Sequence, residues 1–127
     1  MYKEVVICIV VIVAIVSLDV VTQKYTRNTT SEITQIFSDL KGEMLDEDKN
    51  EIDKKVKILD EKWGQKHDRL AYYIEHDELE KVDTAIVSLK SYVETDDYSS
   101  AIAELDKGKF ILEHIQKKYA FNLENIF

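Results

Sequence analysis

The sequence predicts an all-α protein: one N-terminal transmembrane helix followed by a small antiparallel bundle of about three to four helices. Three observations carry that prediction. The 127 residues include no proline and only three glycines, Gly42, Gly64 and Gly108, so the residues that hairpins and tight turns rely on are nearly absent. The first 21 residues contain 17 of the apolar ones. Beyond them, apolar residues recur every three or four positions between short polar breaks, the period of a helix face. A β-sandwich or an α/β sheet is therefore disfavoured. The net charge of −8 and pI near 4.9 argue against nucleic acid as a partner, because phosphate binding draws on clustered Lys and Arg.

Residues 5–16 are uninterrupted apolar residues, and the run continues through Ser17, Leu18 and Asp19 to Val21. Seventeen helical residues span roughly 25 Å, slightly less than the roughly 30 Å hydrocarbon core. Tyr2 and Tyr25 stand about 35 Å apart on such a helix, placing their rings at the two headgroup layers. A cleaved signal peptide is the rival, but Ser17-Leu18-Asp19-Val20-Val21 offers no small-x-small cleavage site, so an uncleaved anchor over residues 1–25 is expected. Cys8 then faces lipid as a small apolar residue. One cysteine forms no intramolecular disulfide and leaves the compartment open. Lys3 lies before the span and Lys24, Arg27 and Lys41 after it, so the positive charges do not fix orientation. The short tail before the anchor favours an N-in arrangement with the bulk of the chain extracytoplasmic. Asp19, at the edge of the span, reaches the interface and is solvated, or pairs with a basic group on another membrane helix.

Residues 26–127 form the expected acidic bundle. Ile33, Ile36, Phe37, Leu40 and Met44 mark a first stripe, on a helix that either continues from the membrane or restarts at Asn28-Thr29-Thr30-Ser31, where Thr29 and Glu32 have capping-box spacing. Asp48 and Glu51 repeat that spacing ahead of a second stripe: Ile52, Val56, Leu59, Trp63, Leu70 and Tyr73, with Lys66 interrupting it. After Ile74 the register slips, and Asp77 with Glu80 offers a third cap before Leu79, Val82, Ile86, Leu89 and Val93. A tight turn over residues 75–77 is expected there, with a stuttering continuous helix as the alternative. Thr95-Asp96-Asp97 precedes a fourth stripe of Ala101, Leu105, Gly108, Leu112, Ile115 and Tyr119. Helix starts are thus expected near 29, 48, 77 and 96, and the short connections favour antiparallel neighbours. Glu51/Lys55, Asp53/Lys57, Asp77/Lys81 and Glu113/Lys117 have the favourable order for pairs along exposed helix faces.

Trp63, the run Tyr72-Tyr73-Ile74-Glu75-His76-Asp77-Glu78-Leu79-Glu80-Lys81 and the ending Asn125-Ile126-Phe127 resemble a family of small proteins from spore-forming bacteria, the domain of unknown function numbered 4363. The resemblance implies a membrane-anchored helical protein of the bacterial envelope whose partners include a polytopic membrane protein. It brings no catalytic residues to carry over.

Glu75, His76, Asp77, Glu78 and Glu80, with His67 and His114 elsewhere, are the one concentration of possible site chemistry. No H-x-x-x-H or E-x-x-H pair is present, so a capped helix junction is expected rather than a metal site, and no cofactor is called for. Trp63, Tyr72, Tyr73, Tyr92, Tyr98, Phe110 and Tyr119 read as core in preference to a ligand cleft. Gly108, on an inner stripe, permits close helix approach, the alternative being a tolerated helical glycine. No nucleophile motif or phosphate loop occurs, so the chain is not expected to be an enzyme. The candidate interaction residues are Trp63, His76, Asp77, Glu78, Gly108 and Asp19. The functional expectation is an interaction or accessory subunit for a membrane protein, held to the bilayer through residues 5–21. The alternative is an extracytoplasmic sensor of a small ligand or cation, and homo-oligomerisation stays open.

Overall fold

A 44-residue helix, α1 (Tyr2–Leu45), begins the chain in the computed structural model, which describes residues 1–126 and side chains through Tyr119. It is followed by α2 (Lys49–Leu70), α3 (His76–Glu94) and α4 (Tyr98–Ile126), with no strand among the described residues. The side chains of the Asn125-Ile126-Phe127 ending lie outside them. Helix α1 is about 66 Å long, and its apolar stretch leaves the bundle entirely, with none of the window that could cross a membrane buried against the rest of the chain.

The two readings at Asn28 are resolved in favour of continuity. Thr29 caps nothing; it is 2% exposed on the bundle-facing side of α1, in a buried series Thr26, Thr29, Thr30, Ile33, Phe37, Leu40 and Met44. The expected helix start near 29 is therefore corrected. A threonine caps when its hydroxyl turns forward to a free N–H, but inside a helix it can bond the carbonyl of the preceding turn instead. Two threonines just before Thr29 do so: Thr22 Oγ1 donates to the Asp19 carbonyl at 2.9 Å and Thr26 Oγ1 to the Thr22 carbonyl at 2.7 Å.

The turns α1–α2 and α3–α4 share one construction. Each preceding helix ends with a residue in the left-handed region, Glu47 (φ 55°) and Asp96 (φ 56°). In the first turn, the N–H groups of Glu47 and Asp48 donate to the carbonyls of Met44 and Glu43; in the second, those of Asp96 and Asp97 donate to Val93 and Tyr92. This is the Schellman pattern. The following aspartate then caps the next helix: Asp48 Oδ1 accepts from the Glu51 N–H at 3.4 Å, and Asp97 Oδ1 from the Ser100 N–H at 3.2 Å. The expected cap at 48 is thus in place, while the one near 96 falls on Asp97 because Asp96 is used to end α3. Asp77 is no cap either. Helix α3 starts from Glu75, with Asp77 and Glu78 in its first turn, where carboxylates offset the helix dipole.

Short connections fold the four helices into an antiparallel ring in which α1 packs on α2 and α4, and α3 packs on α4 and more thinly on α2. The four predicted stripes form the core, with Ile33, Leu40, Ile52, Leu59, Val82 and Ala101 fully enclosed. Gly108 sits where an added Cβ would lie 2.9 Å from Cε2 of Phe37 and 3.7 Å from Cβ of Ala85, so its bare backbone lets α4 close on α1 and α3. The expected i,i+4 pairs do not close among the described residues. Lysines instead reach between helices: Lys55 to Glu43 at 2.8 Å, Lys62 to Glu32 at 3.3 Å, Lys90 to Asp60 at 3.0 Å and Lys41 to Asp106 at 3.1 Å. Neighbouring helices offer acceptors at the seams, so part of the charge pairs between elements, while most charged residues remain exposed.

Two substitutions test these points in thermal melts of the detergent-solubilised full chain. Gly108→Leu is expected to cost roughly 1–3 kcal/mol, because the Phe37 ring has to leave its place. Glu47→Gly is expected to stabilise by about 1 kcal/mol, since glycine holds a left-handed φ without the Cβ clash; a lowered melting temperature would contradict the role assigned to that turn.

Candidate functional site

The end of the bundle nearest the apolar stretch is built around the α2–α3 turn. Helix α2 stops at Leu70, where the Ile74 N–H donates to the Leu70 carbonyl at 2.9 Å and folds Ile74 into the core. This sets Tyr73 against α1. With the Thr26 hydroxyl donating to the Thr22 carbonyl, the Tyr73 hydroxyl donates to Thr26 Oγ1 at 2.6 Å and lies 3.3 Å from the Thr22 carbonyl. Burial raises the pKa of Tyr73 above 10.0, partly offset because the Thr26 hydroxyl can turn to donate to the ionised phenolate oxygen. Its ring meets Tyr119 edge to face at 6.3 Å, and the Tyr119 hydroxyl accepts the Glu75 N–H at 2.9 Å. Tyr25, expected at a headgroup layer, turns partly into the bundle with Lys66 Nζ 5.5 Å from its ring centre.

The candidate residues do not form one surface. Glu78 is 8% exposed and accepts from Lys118 Nζ at 2.8 Å, an interaction that raises the Lys118 pKa. His76 and Asp77 are solvent-exposed on the opposite side of the same turn, with His76 Nε2 3.7 Å from Glu80. Among the described residues no three His, Cys, Asp or Glu side chains are placed to hold a metal ion. Asp19 is half-buried on α1 with no cation within salt-bridge distance among those residues, and Gly108 lies inside the core. Tyr73, Tyr92, Tyr98 and Tyr119 line the core margin, whereas Tyr72 and Phe110 are 90% and 71% exposed, so the seven aromatics do not share a cleft and not all of them are core.

Trp63 belongs to a polar clasp across the thin α2–α3 seam. Its ring is 4% exposed and Nε1 donates to Asp83 Oδ1 at 2.6 Å. His67 stacks edge-on at 5.8 Å, with Nε2 3.1 Å from Asp83 Oδ2, close enough for ion pairing when protonated but without hydrogen-bond alignment. Asp83 carried no signal in the sequence. It follows Trp63 by 20 positions, and only the fold of the α2–α3 turn brings them together.

Asp83→Leu is expected to cost about 1–3 kcal/mol by leaving the indole N–H without an acceptor, with a shift in tryptophan fluorescence that Asp83→Asn largely avoids. At alkaline pH the unfolded chain releases the tyrosine proton before folded Tyr73 does. The Tyr73 contribution is therefore intact below pH 10.0 and lost as pH rises toward the folded value. Melting temperature should fall across that range, and Tyr73→Phe should flatten the fall while lowering neutral-pH stability by about 1 kcal/mol.

No curated protein matches this chain. No solved structure matches it either. The model of one family, described as domain of unknown function DUF4363, matches residues 20–126, the bundle together with the exit of α1 from its apolar stretch. On that match, and in agreement with the resemblance carried by Trp63 and the α2–α3 junction, the chain belongs to the DUF4363 family.

Proposed function

We propose that the protein is a single-pass membrane-anchored accessory subunit that presents its acidic bundle, outside the cytoplasm, to a polytopic partner in the same bilayer. The observation that carries this reading is the single helix α1. It is predominantly apolar over residues 5–21, with none of its most apolar window buried, then supplies Thr26, Thr29, Thr30 and Ile33 to the bundle core without a break. An anchor needed only for tethering works as well through a flexible linker. A continuous helix fixes the rotation and height of the bundle relative to the bilayer, which matters when a partner is contacted both in the membrane and above it. The buried positions of Trp63, Glu78 and Gly108 direct contacts to the outer faces instead.

The rotational constraint supplies the test. Two leucines inserted after Val16 turn the bundle by about 200° relative to residues 1–16, whereas four turn it by about 40° net. Neither insertion touches the bundle. Co-purification in mild detergent should retain a polytopic partner with the native chain and the four-residue insertion, and lose it with the two-residue insertion. Recovery of no membrane partner with the native chain would overturn the accessory-subunit reading.

A further inference from the structure

Beside the point where α1 enters the bundle lies an open groove of about 290 Å³ lined by Val21, Thr22, Tyr25, Arg69, Tyr72 and Tyr73. Its floor includes Val21, the last residue of the apolar run. Its far wall is the α2–α3 turn, held at the height of Thr22 and Thr26 by the Tyr73 hydroxyl. Residues 22–25 rise about 6 Å along the helix, close to the roughly 5–8 Å depth of one headgroup layer. If residues 5–21 occupy the hydrocarbon, the groove lies at headgroup depth. The turn cannot lift away without breaking the Tyr73 contacts.

We propose that this groove seats the glycerol-phosphate region of an anionic phospholipid, so that the bundle rests on the bilayer as well as hanging from its anchor. The inference rests on the reading of residues 5–21 as a membrane span. The chemistry of the groove fits that occupant. Val21 and the tyrosine rings provide an apolar wall for the first acyl carbons. Arg69 is exposed and has no carboxylate within salt-bridge distance among the described residues; its neighbour Asp68 lies 3.7 Å from His67 Nδ1. A guanidinium so placed matches a phosphodiester. Tyr72, 90% exposed, presents an amphipathic ring of the kind that collects at membrane interfaces. Charge makes the local cation consequential, because a chain of net charge −8 is repelled by an anionic surface unless a basic contact offsets it. Lys24 and Arg27, both exposed on α1, add positive charge on the same stretch of helix.

Depth measurements on the full chain test the proposal. In a Cys8→Ser background, spin labels are placed singly at Ile12→Cys, Tyr72→Cys and Ser99→Cys, the last at the opposite end of the bundle. The chains are reconstituted into phosphatidylcholine vesicles with and without phosphatidylglycerol, and access of oxygen and of a water-soluble nickel chelate is compared. The expected result is a hydrocarbon reading at position 12, a water reading at 99 and loss of nickel access at 72. That protection should deepen with phosphatidylglycerol and disappear with Arg69→Glu. A water reading at 72 beside a hydrocarbon reading at 12 would overturn the proposal while leaving the anchor intact. A water reading at 12 would overturn both. Dipolar broadening confined to label 72 would assign the groove to a second copy of the chain and overturn lipid binding.

Discussion

Everything in this fold depends on α1 remaining a helix while its surroundings change. Over residues 5–21 each backbone N–H and C=O is satisfied along the same helix, the condition for crossing hydrocarbon. Beyond Thr26 the same hydrogen-bond ladder carries one face of a bundle. Thr26 follows Thr22 by four positions, little more than one turn, and in that interval the helix passes from largely apolar to amphipathic. Threonines at 22, 26, 29 and 30 are small enough to lie at a helix seam. Those at 22 and 26 turn their hydroxyls back onto α1, and Thr26 in addition receives the bond from Tyr73 that positions the α2–α3 turn. A glycine or proline in this interval would have given a joint; residues 22–26 include neither.

The acidic composition takes on a particular form in the assembled bundle. Lysines stitch α1 to α2 and α4, α2 to α3, and α3 to α4 across partly exposed seams, with Lys118 reaching both Glu75 and Glu78. Individual surface pairs of this kind contribute at most about 1 kcal/mol, so hydrophobic burial supplies the main driving force.

The stripes were legible in the sequence because a three-and-four spacing is a property of one helix at a time. Ile52, Leu59, Trp63 and Leu70 needed no knowledge of the rest of the chain to be placed on an inner face. Asp48 was legible as a cap for the same reason. Thr29 was misleading because capping-box spacing also arises by coincidence inside a helix whose continuation is decided by tertiary burial. Asp96 and Asp97 form a pair in which one residue ends a helix and the next begins another, and a spacing rule does not tell them apart. What the sequence did not disclose were the contacts between helices, Trp63 with Asp83 and Tyr73 with Thr26, whose partners are separated by 20 and 47 positions. Of the candidate residues, Gly108 was anticipated in its packing role. Trp63 is buried as its stripe indicated, whereas no local pattern distinguishes Glu78, which turns inward, from exposed Asp77 beside it.

The length of α1 turns small angles into large displacements. From Val21 to Leu45 the helix extends about 36 Å, and a tilt of about 20° from the bilayer normal, ordinary for a membrane helix, carries the far end of the bundle sideways by about 12 Å. Under the proposed anchoring, a change in the lean of the span would swing the twin Schellman turns like the tip of a lever. The Tyr73 pin would make this motion directional: the α2–α3 turn lies close beside α1 at its exit, so leaning toward that turn would press it into the proposed bilayer surface and leaning away would free it.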